Sequence, residues 1–263
     1  MPRKSLSIFL PALAGLLVIA AWYAIRFSLV ADFKFLLPTP DEILRAFRAN
    51  HAALIRAALN TSEGALLGFA LAVVVSSTAS LAMALSPAVR FSLYPYLMAL
   101  QLTPLPVLAP ICVLWVGAGL KSVSLLTFLI AFFPLAVNTT QGLVSTDRNL
   151  VELFRMWRAS PMQELFLLRV PSALPYFFTG LRIAGTLAPI GAVVADMNAG
   201  SSFNDGGGLG FQATIYSAQA KFPALFATAA TTCLLGFIFT GAVLTLSWFA
   251  LHQWHDSYER ADK

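Results

Sequence analysis

Six long apolar segments divide the chain of 263 residues, and polar residues collect in the stretches between them. Each segment approaches the roughly 20 apolar residues that cross a bilayer as a helix. A spanning segment must satisfy its backbone polar groups internally, and the chain lacks the alternating pattern of barrel strands, so helices are predicted. The predicted spans are residues 6–27, 63–85, 91–116, 122–144, 174–195 and 224–251.

Composition supports the same class of protein. Hydrophobic residues make up 58% of the chain, charged residues 11%, and the mean hydropathy is +0.76. Soluble domains are about 45–50% apolar and about 25% charged, so a soluble fold would leave much apolar surface in water. We predict a single all-α, polytopic membrane domain over residues 1–263. The first apolar run, residues 6–23, exceeds the roughly 7–15 residues of a signal-peptide core, so we expect an uncleaved span.

The segment of residues 32–60 has a different pattern. A Pro-Thr-Pro turn precedes Asp41, which is a candidate cap for a helix. Apolar residues then recur at helical spacing, with Arg45, Arg48 and Arg56 between them. This pattern predicts an amphipathic helix lying on the membrane surface, with a plain connecting helix as the alternative.

The distribution of basic residues predicts the orientation. The net charge is +5, but the basic residues are scattered, which favours contact with membrane lipids over nucleic acid. Cytoplasmic loops carry an excess of Lys and Arg. The densest cluster lies between Arg148 and Arg169 and adjoins two spans, so we place this loop and both termini in the cytoplasm.

The third span is rich in proline, which removes backbone donors and frees carbonyl groups one turn back. Such a segment either lines a wet transport path or packs as a kinked helix. Polar residues in or near the spans are candidates for a path, with hydrogen bonding between helices as the alternative. We expect Arg182 to reach the cytoplasmic interface or to serve the substrate, and Asp196 to face an outer vestibule. The path candidates are Gln101, Thr103, Asn138, Arg182, Asp196 and Asn198.

Signatures of catalysis are missing from the chain. It has no GxxxxGK[ST] motif, so it cannot hydrolyse ATP through a P-loop, and no HEXXH or Ser-His-Asp arrangement stands out. The "GGGLG" of residues 206–210 predicts a hinge or tight loop rather than a phosphate site. Cys112 and Cys233 are expected to be small apolar residues within spans, and His252 and His255 surface histidines rather than metal ligands. We predict no enzyme activity, cofactor or metal in this chain.

The loop of residues 147–171 combines charge with large apolar side chains. Asp147 is a candidate helix cap, and Leu150, Leu153, Phe154 and Trp157 share one helical face. A second short helix is predicted at residues 162–168, ending before the proline at position 171. A rigid amphipathic element with aromatic residues between two spans is suited to docking another protein.

This loop resembles the signature loop of the inner-membrane permease subunit of bacterial ABC importers. The run "LVELFRMWRASPMQELFLLRVPSALPYFFTGLRIAG" aligns with that signature without gaps; Glu152 matches its glutamate and Ala173-Leu174-Pro175 its ending. The runs "LLPTP", "LWVGAGLKS", "FFPLAVNTTQGL", "TGLRIA" and "GLGF" are similar to the nitrate, sulfonate and taurine branch, which includes permeases for hydroxymethylpyrimidine thiamine precursors. The resemblance covers roughly residues 36–250, with a core of about 54–250.

The resemblance implies a type I importer permease with six spans in the bacterial inner membrane. Two copies would form the path, assembled with two copies of a separate ATPase that binds ATP and Mg, and with a periplasmic or lipid-anchored solute-binding protein. The solute would be a small organic compound such as a sulfonate, taurine or a pyrimidine thiamine precursor. Loop 147–171 would be the coupling helix, with contact carried by Glu152, Arg155, Trp157, Arg158, Ala159 and Ser160.

Three positions depart from the family signature. Leu153 and Phe154 replace two alanines, and Arg158 replaces a glycine. Glycine permits a bend and close approach, and we expect arginine to permit neither. Either the partner ATPase has a matching groove, for example an acidic one, or coupling is altered. The rival hypotheses are an ion-coupled secondary carrier, an intramembrane enzyme and a non-transporting scaffold or sensor.

Overall fold

The computed structural model describes residues 3–199 and 206–251, so the predictions for His252 and His255 lie outside the described residues. Within these two ranges the chain is helical and has no strand, as predicted. A 3-10 helix, Ala31–Leu36, follows the first helix, and a π-helical turn, Leu165–Arg169, joins the seventh helix to the eighth. The α-helices are α1 Arg3–Ser28, α2 Pro40–Leu85, α3 Pro87–Gln101, α4 Leu105–Val116, α5 Leu120–Val144, α6 Arg148–Met156, α7 Pro161–Glu164, α8 Val170–Ala199, α9 Leu209–Ala218 and α10 Phe222–Leu251.

Helix α2 contains both the predicted surface helix and the second span. It runs without interruption for 46 residues, which corresponds to about 69 Å. The prediction of a separate surface helix is wrong, because residues 41–63 contain no glycine or proline to end the helix. Its cap is Thr39 rather than Asp41: Thr39 Oγ1 accepts from the Glu42 amide at 3.3 Å, and the Glu42 carboxylate accepts from the Thr39 amide at 2.8 Å.

Helices α2 and α5 pack side by side and run in the same direction. Near the start of α5, Gly64 of α2 lies so close to Val123 that a Cβ at residue 64 would collide with the valine side chain. Towards the end of α5, Ser80 of α2 donates to the Ala136 carbonyl at 3.0 Å. Later residues of α2 contact later residues of α5, so the two helices are parallel. The chain between them must therefore return from one end of the bundle to the other.

Helices α3 and α4 make this return as a bent pair. The axes of Pro87–Gln101 and Pro106–Val116 meet at 111°. Proline at positions 104 and 106 stands at the break, where a continuous helix would lose its hydrogen bonds. Among the described residues, five other helices are long and apolar enough to span a bilayer, and counting the bent pair as one broken span gives the six predicted.

Helix α8 runs antiparallel to α5. Gly142 near the end of α5 lies against Tyr176, and Gly191 near the end of α8 lies against Ile130. The short helix predicted to end before Pro171 instead continues through the proline into α8. A π turn precedes the proline, and the Val170 amide donates to the carbonyl five residues back. Proline lacks an amide and its ring collides with the carbonyl four residues back, so the wider turn lets the helix continue.

A polar cluster joins α2, α8 and α9 at the end of the bundle opposite loop 147–171. Thr61 Oγ1 donates to the carboxylate of Asp196 at 2.5 Å and accepts from the Leu209 amide at 2.9 Å. The Gly210 amide donates to the same carboxylate. Asp196 is 1% exposed, so the expectation that it faces an outer vestibule is wrong. Together with Thr61, its carboxyl group satisfies the amides of Leu209 and Gly210 at the N-terminus of α9.

The backbone around this polar cluster packs so closely that the glycine positions before and within α9 have no room for a side chain. A Cβ at Gly208 would collide with the Asp196 carboxylate, and one at Gly210 would collide with the backbone of Val193 and Met197. Gly207 has φ of +72°, a conformation that favours glycine. The predicted tight loop is present at residues 206–208, whereas Leu209 and Gly210 already belong to α9.

Replacing Gly210 by alanine should destabilise the protein by about 1–3 kcal/mol, because the added methyl group meets rigid backbone. The matched control is Gly236→Ala on α10, where nothing lies within 4 Å of the added Cβ. That control should be neutral or stabilising by up to about 1 kcal/mol. Thermal unfolding of the two variants in detergent measures the difference, and equal melting temperatures would contradict the close contact.

Candidate functional site

The loop between α5 and α8 forms an elbow of two helices. Asp147 Oδ1 accepts from the Asn149 amide at 2.8 Å and caps α6, as predicted. At the other end, the Ala159 amide donates to the Phe154 carbonyl at 3.0 Å. The Arg158 amide donates to the Arg155 carbonyl at 2.9 Å, completing a Schellman motif.

Arg158 occupies the left-handed position of this motif, with φ of +56°. The expectation that arginine prevents the bend is therefore wrong. The two backbone hydrogen bonds hold the bend although a non-glycine residue in this conformation costs roughly 1–2 kcal/mol. The elbow keeps the backbone shape that glycine would adopt, and the arginine side chain projects from its corner.

The apolar face of α6 points away from the bundle. Trp157 is 82% exposed and Met156 80% exposed, and Leu150 and Leu153 are also exposed. Val151 is the buried residue of this helix. Large apolar groups exposed together on a charged element are typical of a surface that contacts another protein.

Glu164 ties the elbow to the spans. Its carboxylate is 8% exposed and accepts from Arg155 Nε at 3.3 Å and from Arg169 Nε at 2.8 Å. Arg169 Nη1 also donates to the Leu143 carbonyl at 3.3 Å, in the last turn of α5, where positive charge is favourable. We call these residues the Glu164 cluster. Arg169 and Glu164 are the more deeply buried pair of this cluster, and removing one partner of a buried pair typically costs about 3–5 kcal/mol.

Other predicted contact residues have local roles. Glu152 is exposed and forms an ion pair with Arg148 at 3.0 Å, one turn away. Ser160 caps α7: its hydroxyl accepts from the Gln163 amide at 3.3 Å, and the Gln163 side chain accepts from the Ser160 amide at 2.8 Å. Ala159 lines a cavity of about 400 Å³ between the elbow and the end of α2.

Of the predicted contact residues, Arg155 and Ala159 meet in this cavity, where Glu164 and Arg169 join them. Glu164 and Arg169 were not predicted as site residues. Their roles depend on the π turn and on an approach between residues nine apart, which helical spacing does not reveal.

A second cavity, of about 380 Å³, lies at the break between α3 and α4. Gln101 and Thr103 contribute its polar side chains, among apolar residues that include Leu108, Phe133 and Leu187. None of its described lining residues is charged. Two of the six predicted path residues therefore meet in one cavity.

The remaining path candidates lie elsewhere. The Asn138 side chain donates to the Pro134 carbonyl of its own helix at 2.7 Å, and Asn198 donates to the Val194 carbonyl at 3.0 Å. Arg182 is half-buried on α8. These residues do not line the cavity of Gln101 and Thr103.

Helix α8 carries a polar stripe in which Arg182 was predicted and the other polar residues were not, and Ile183 and Ile190 are exposed on the same face. Tyr176, Thr179 and Thr186 are exposed, and Arg182 lies on the same side of the helix. The two threonine hydroxyls donate to carbonyls one turn back. Their spacing of three to four residues was the available signal, but most of the neighbouring positions are apolar.

Comparison with known proteins places the chain in a family. The profile of the binding-protein-dependent transport system inner membrane component matches residues 64–257. The chain is 35% identical over 245 residues to the formylaminopyrimidine transport permease protein ThiX of Halalkalibacterium halodurans, covering 93% of this chain and 95% of the relative.

Two other relatives show how widely the similarity extends. The putative aliphatic sulfonates transport permease protein SsuC of Bacillus subtilis is 28% identical over 252 residues, covering 92% of this chain and 86% of the relative. The taurine transport system permease protein TauC of Escherichia coli is 37% identical over 114 residues, covering 43% and 41%.

These matches confirm the predicted resemblance. They describe transport subunits rather than enzymes, and they agree with a multi-pass protein of the inner membrane that works within a binding-protein-dependent system. The chain belongs to the family of binding-protein-dependent transport system inner membrane components, and it is the permease subunit of an ABC importer.

Proposed function

We propose that the elbow of α6 and α7 docks on a separate cytoplasmic ATPase, which binds ATP and Mg, and transmits its movement to the spans. The observation that carries this proposal is the outward-facing Trp157, 82% exposed, on an element fastened to two spans by the Glu164 cluster. Both termini and the elbow lie in the cytoplasm. Two copies of the permease and two of the ATPase form the assembly, with a periplasmic or lipid-anchored binding protein delivering the solute.

The connection from the elbow to the spans supports rigid transmission. Arg155 of α6 contacts Glu164 of α7, and Arg169 reaches the last turn of α5. Residues 161–199 form one uninterrupted helical run, so a displacement at α7 is carried into α8. ATP binding favours the permease conformation to which the closed ATPase binds more tightly, which shifts the population of spans between inward-open and outward-open states.

The polar stripe of α8 supports a path between two permease copies. Polar and charged side chains at membrane depth are costly in lipid and normally face water or protein. Tyr176, Thr179, Arg182 and Thr186 would face the path, and the cavity of Gln101 and Thr103 would lie beside it. Asp196 is buried against Thr61 of α2, and Asn138 and Asn198 do not line that cavity, so these three residues take no part in this proposal.

A neutral pyrimidine is the proposed solute. The relative named for formylaminopyrimidine transport aligns over 93% of this chain. The cavity of Gln101 and Thr103 offers an amide and a hydroxyl within apolar walls. Such a lining suits a small uncharged ring with hydrogen-bonding edges better than a sulfonate anion.

Replacing Trp157 by alanine should weaken ATPase binding by about 2 kcal/mol, or roughly 30-fold in Kd, since buried tryptophans dominate protein interfaces. The matched control is Trp115→Ala, because Trp115 is 73% exposed near the end of the bundle opposite the elbow. Titration of the copurified ATPase against nanodisc-embedded permease measures both. Equal affinity for the two variants would remove the docking role of the elbow.

The thiol introduced by Thr186→Cys should react with a membrane-impermeant reagent, and its labelling rate should change when the ATPase is trapped with vanadate. Cys112 and Cys233 are first replaced by alanine. Phe237→Cys on α10, where the phenylalanine is 78% exposed, serves as the lipid-facing control and should stay unlabelled. An inert thiol at position 186, or one that forms a disulfide between copies in every state, would contradict a water-filled path there.

Formylaminopyrimidine should stimulate ATP hydrolysis by proteoliposomes that contain the permease, its ATPase and its binding protein, whereas taurine should not. The physical reason is that the solute-loaded binding protein must dock before the ATPase closes. Stimulation by taurine alone would overturn the proposed solute but leave the permease function in place.

A further inference from the structure

Arg158 occupies a left-handed backbone position, which glycine adopts without conformational strain. Its φ of +56° lies in the left-handed region, and the Schellman hydrogen bonds of Arg158 and Ala159 fix that conformation. Ala220, just after the end of α9, has the same conformation, with φ of +54°, so the inference is carried by the charge and exposure of Arg158 and not by backbone strain alone. Arginine is also one of the residues most enriched at the energetic centres of interfaces.

In the part of the chain that the structure describes, the other arginines of the elbow have ion-pair partners, whereas Arg158 does not. Arg148 pairs with Glu152, and Arg155 and Arg169 share Glu164. Within the described residues, the exposed side chain of Arg158 makes no hydrogen bond or ion pair. The elbow therefore presents the unpaired positive charge of Arg158 at its corner.

The unpaired charge of Arg158 is next to Trp157, the largest exposed apolar side chain of the elbow. Trp157 and Arg158 are consecutive, and Met156 before them is 80% exposed. A partner that buries Trp157 must also bring a surface against Arg158. Burying an unpaired guanidinium is costly, so that surface must supply a counter-charge.

We infer that Arg158 is a partner-specificity residue, which binds a carboxylate beside the ATPase pocket that receives Trp157. An arginine fork makes two parallel hydrogen bonds to one carboxylate, whereas lysine makes a point contact. This inference rests on the docking of the elbow proposed above. It adds the acidic character of the groove and the residue that selects for it.

The variant Arg158→Gly distinguishes a role in recognition from a role in the fold, because the two roles predict different changes in melting temperature. If Arg158 served the fold, Arg158→Gly would lower the melting temperature of the permease. If it serves recognition, the variant relieves strain and raises the melting temperature or leaves it unchanged, while ATPase binding weakens. A loss of roughly 10-fold or more in Kd is expected for a desolvated charge pair.

The experiment titrates the copurified ATPase against full-length permease in nanodiscs, at low and high salt. Arg158→Gly should bind more weakly and lose most of the salt dependence of the native protein, and Arg158→Lys should lie between them. Arg158→Glu should abolish binding, and a lysine in place of the groove carboxylate should restore it. Restoration identifies the partner side chain directly.

Two results would overturn the inference. One is native affinity of Arg158→Gly with weakened binding of Trp157→Ala, which would leave the docking proposal intact. The other is a lower melting temperature of Arg158→Gly, which would assign the residue to the fold. Native affinity of both variants would overturn the docking proposal itself.

Discussion

The close contact of α5 with α2 on one side and α8 on the other is the constraint on which the structure depends. Lipid supplies no hydrophobic drive between helices, so they associate through small residues that let backbones approach. Gly68 lies against Ser124 and Thr127 of α5, and Gly180 of α8 lies against Leu135. These contacts make α2 and α5 parallel and α8 antiparallel. The broken span α3–α4 must then return the chain across the bundle, and the elbow connects the neighbouring ends of α5 and α8 on one side.

The elbow inherits its rigidity from this arrangement. The end of α5 and the start of the long helical run of residues 161–199 lie side by side, and Arg169 bonds to Leu143 across that gap. Glu164 neutralises Arg169 and holds Arg155 of α6 at the same time. One buried carboxylate thus fastens a surface helix to both spans. The proposed coupling requires that the elbow move together with the spans, and these contacts hold the elbow against them.

Hydropathy predicted most of the fold, because a spanning helix needs a long apolar run whatever its neighbours are. Proline also indicated where the third span breaks. The errors arose where two local rules competed. Thr39 rather than Asp41 caps α2, since Glu42 completes a capping box with the threonine. A π turn carries the chain past Pro171, although proline normally ends a helix. The burial of Asp196 rests on Thr61, 135 residues away in sequence, which no local pattern could indicate.

The elbow shows why some functional residues were predictable and others were not. Its exposed apolar face follows from helical spacing, so Trp157 was a candidate from the sequence. The Glu164 cluster depends on an angle between helices that spacing does not give. Arg158 is a third case, because residue preference argued against the bend and the backbone hydrogen bonds of the Schellman motif formed it nevertheless. Since those bonds involve no side chain, the corner residue can change from glycine to arginine without changing the shape of the elbow. In the proposed coupling, the shape of the elbow and the charge of its corner residue are therefore separable, so Arg158 can affect the choice of ATPase while the backbone of the elbow stays the same.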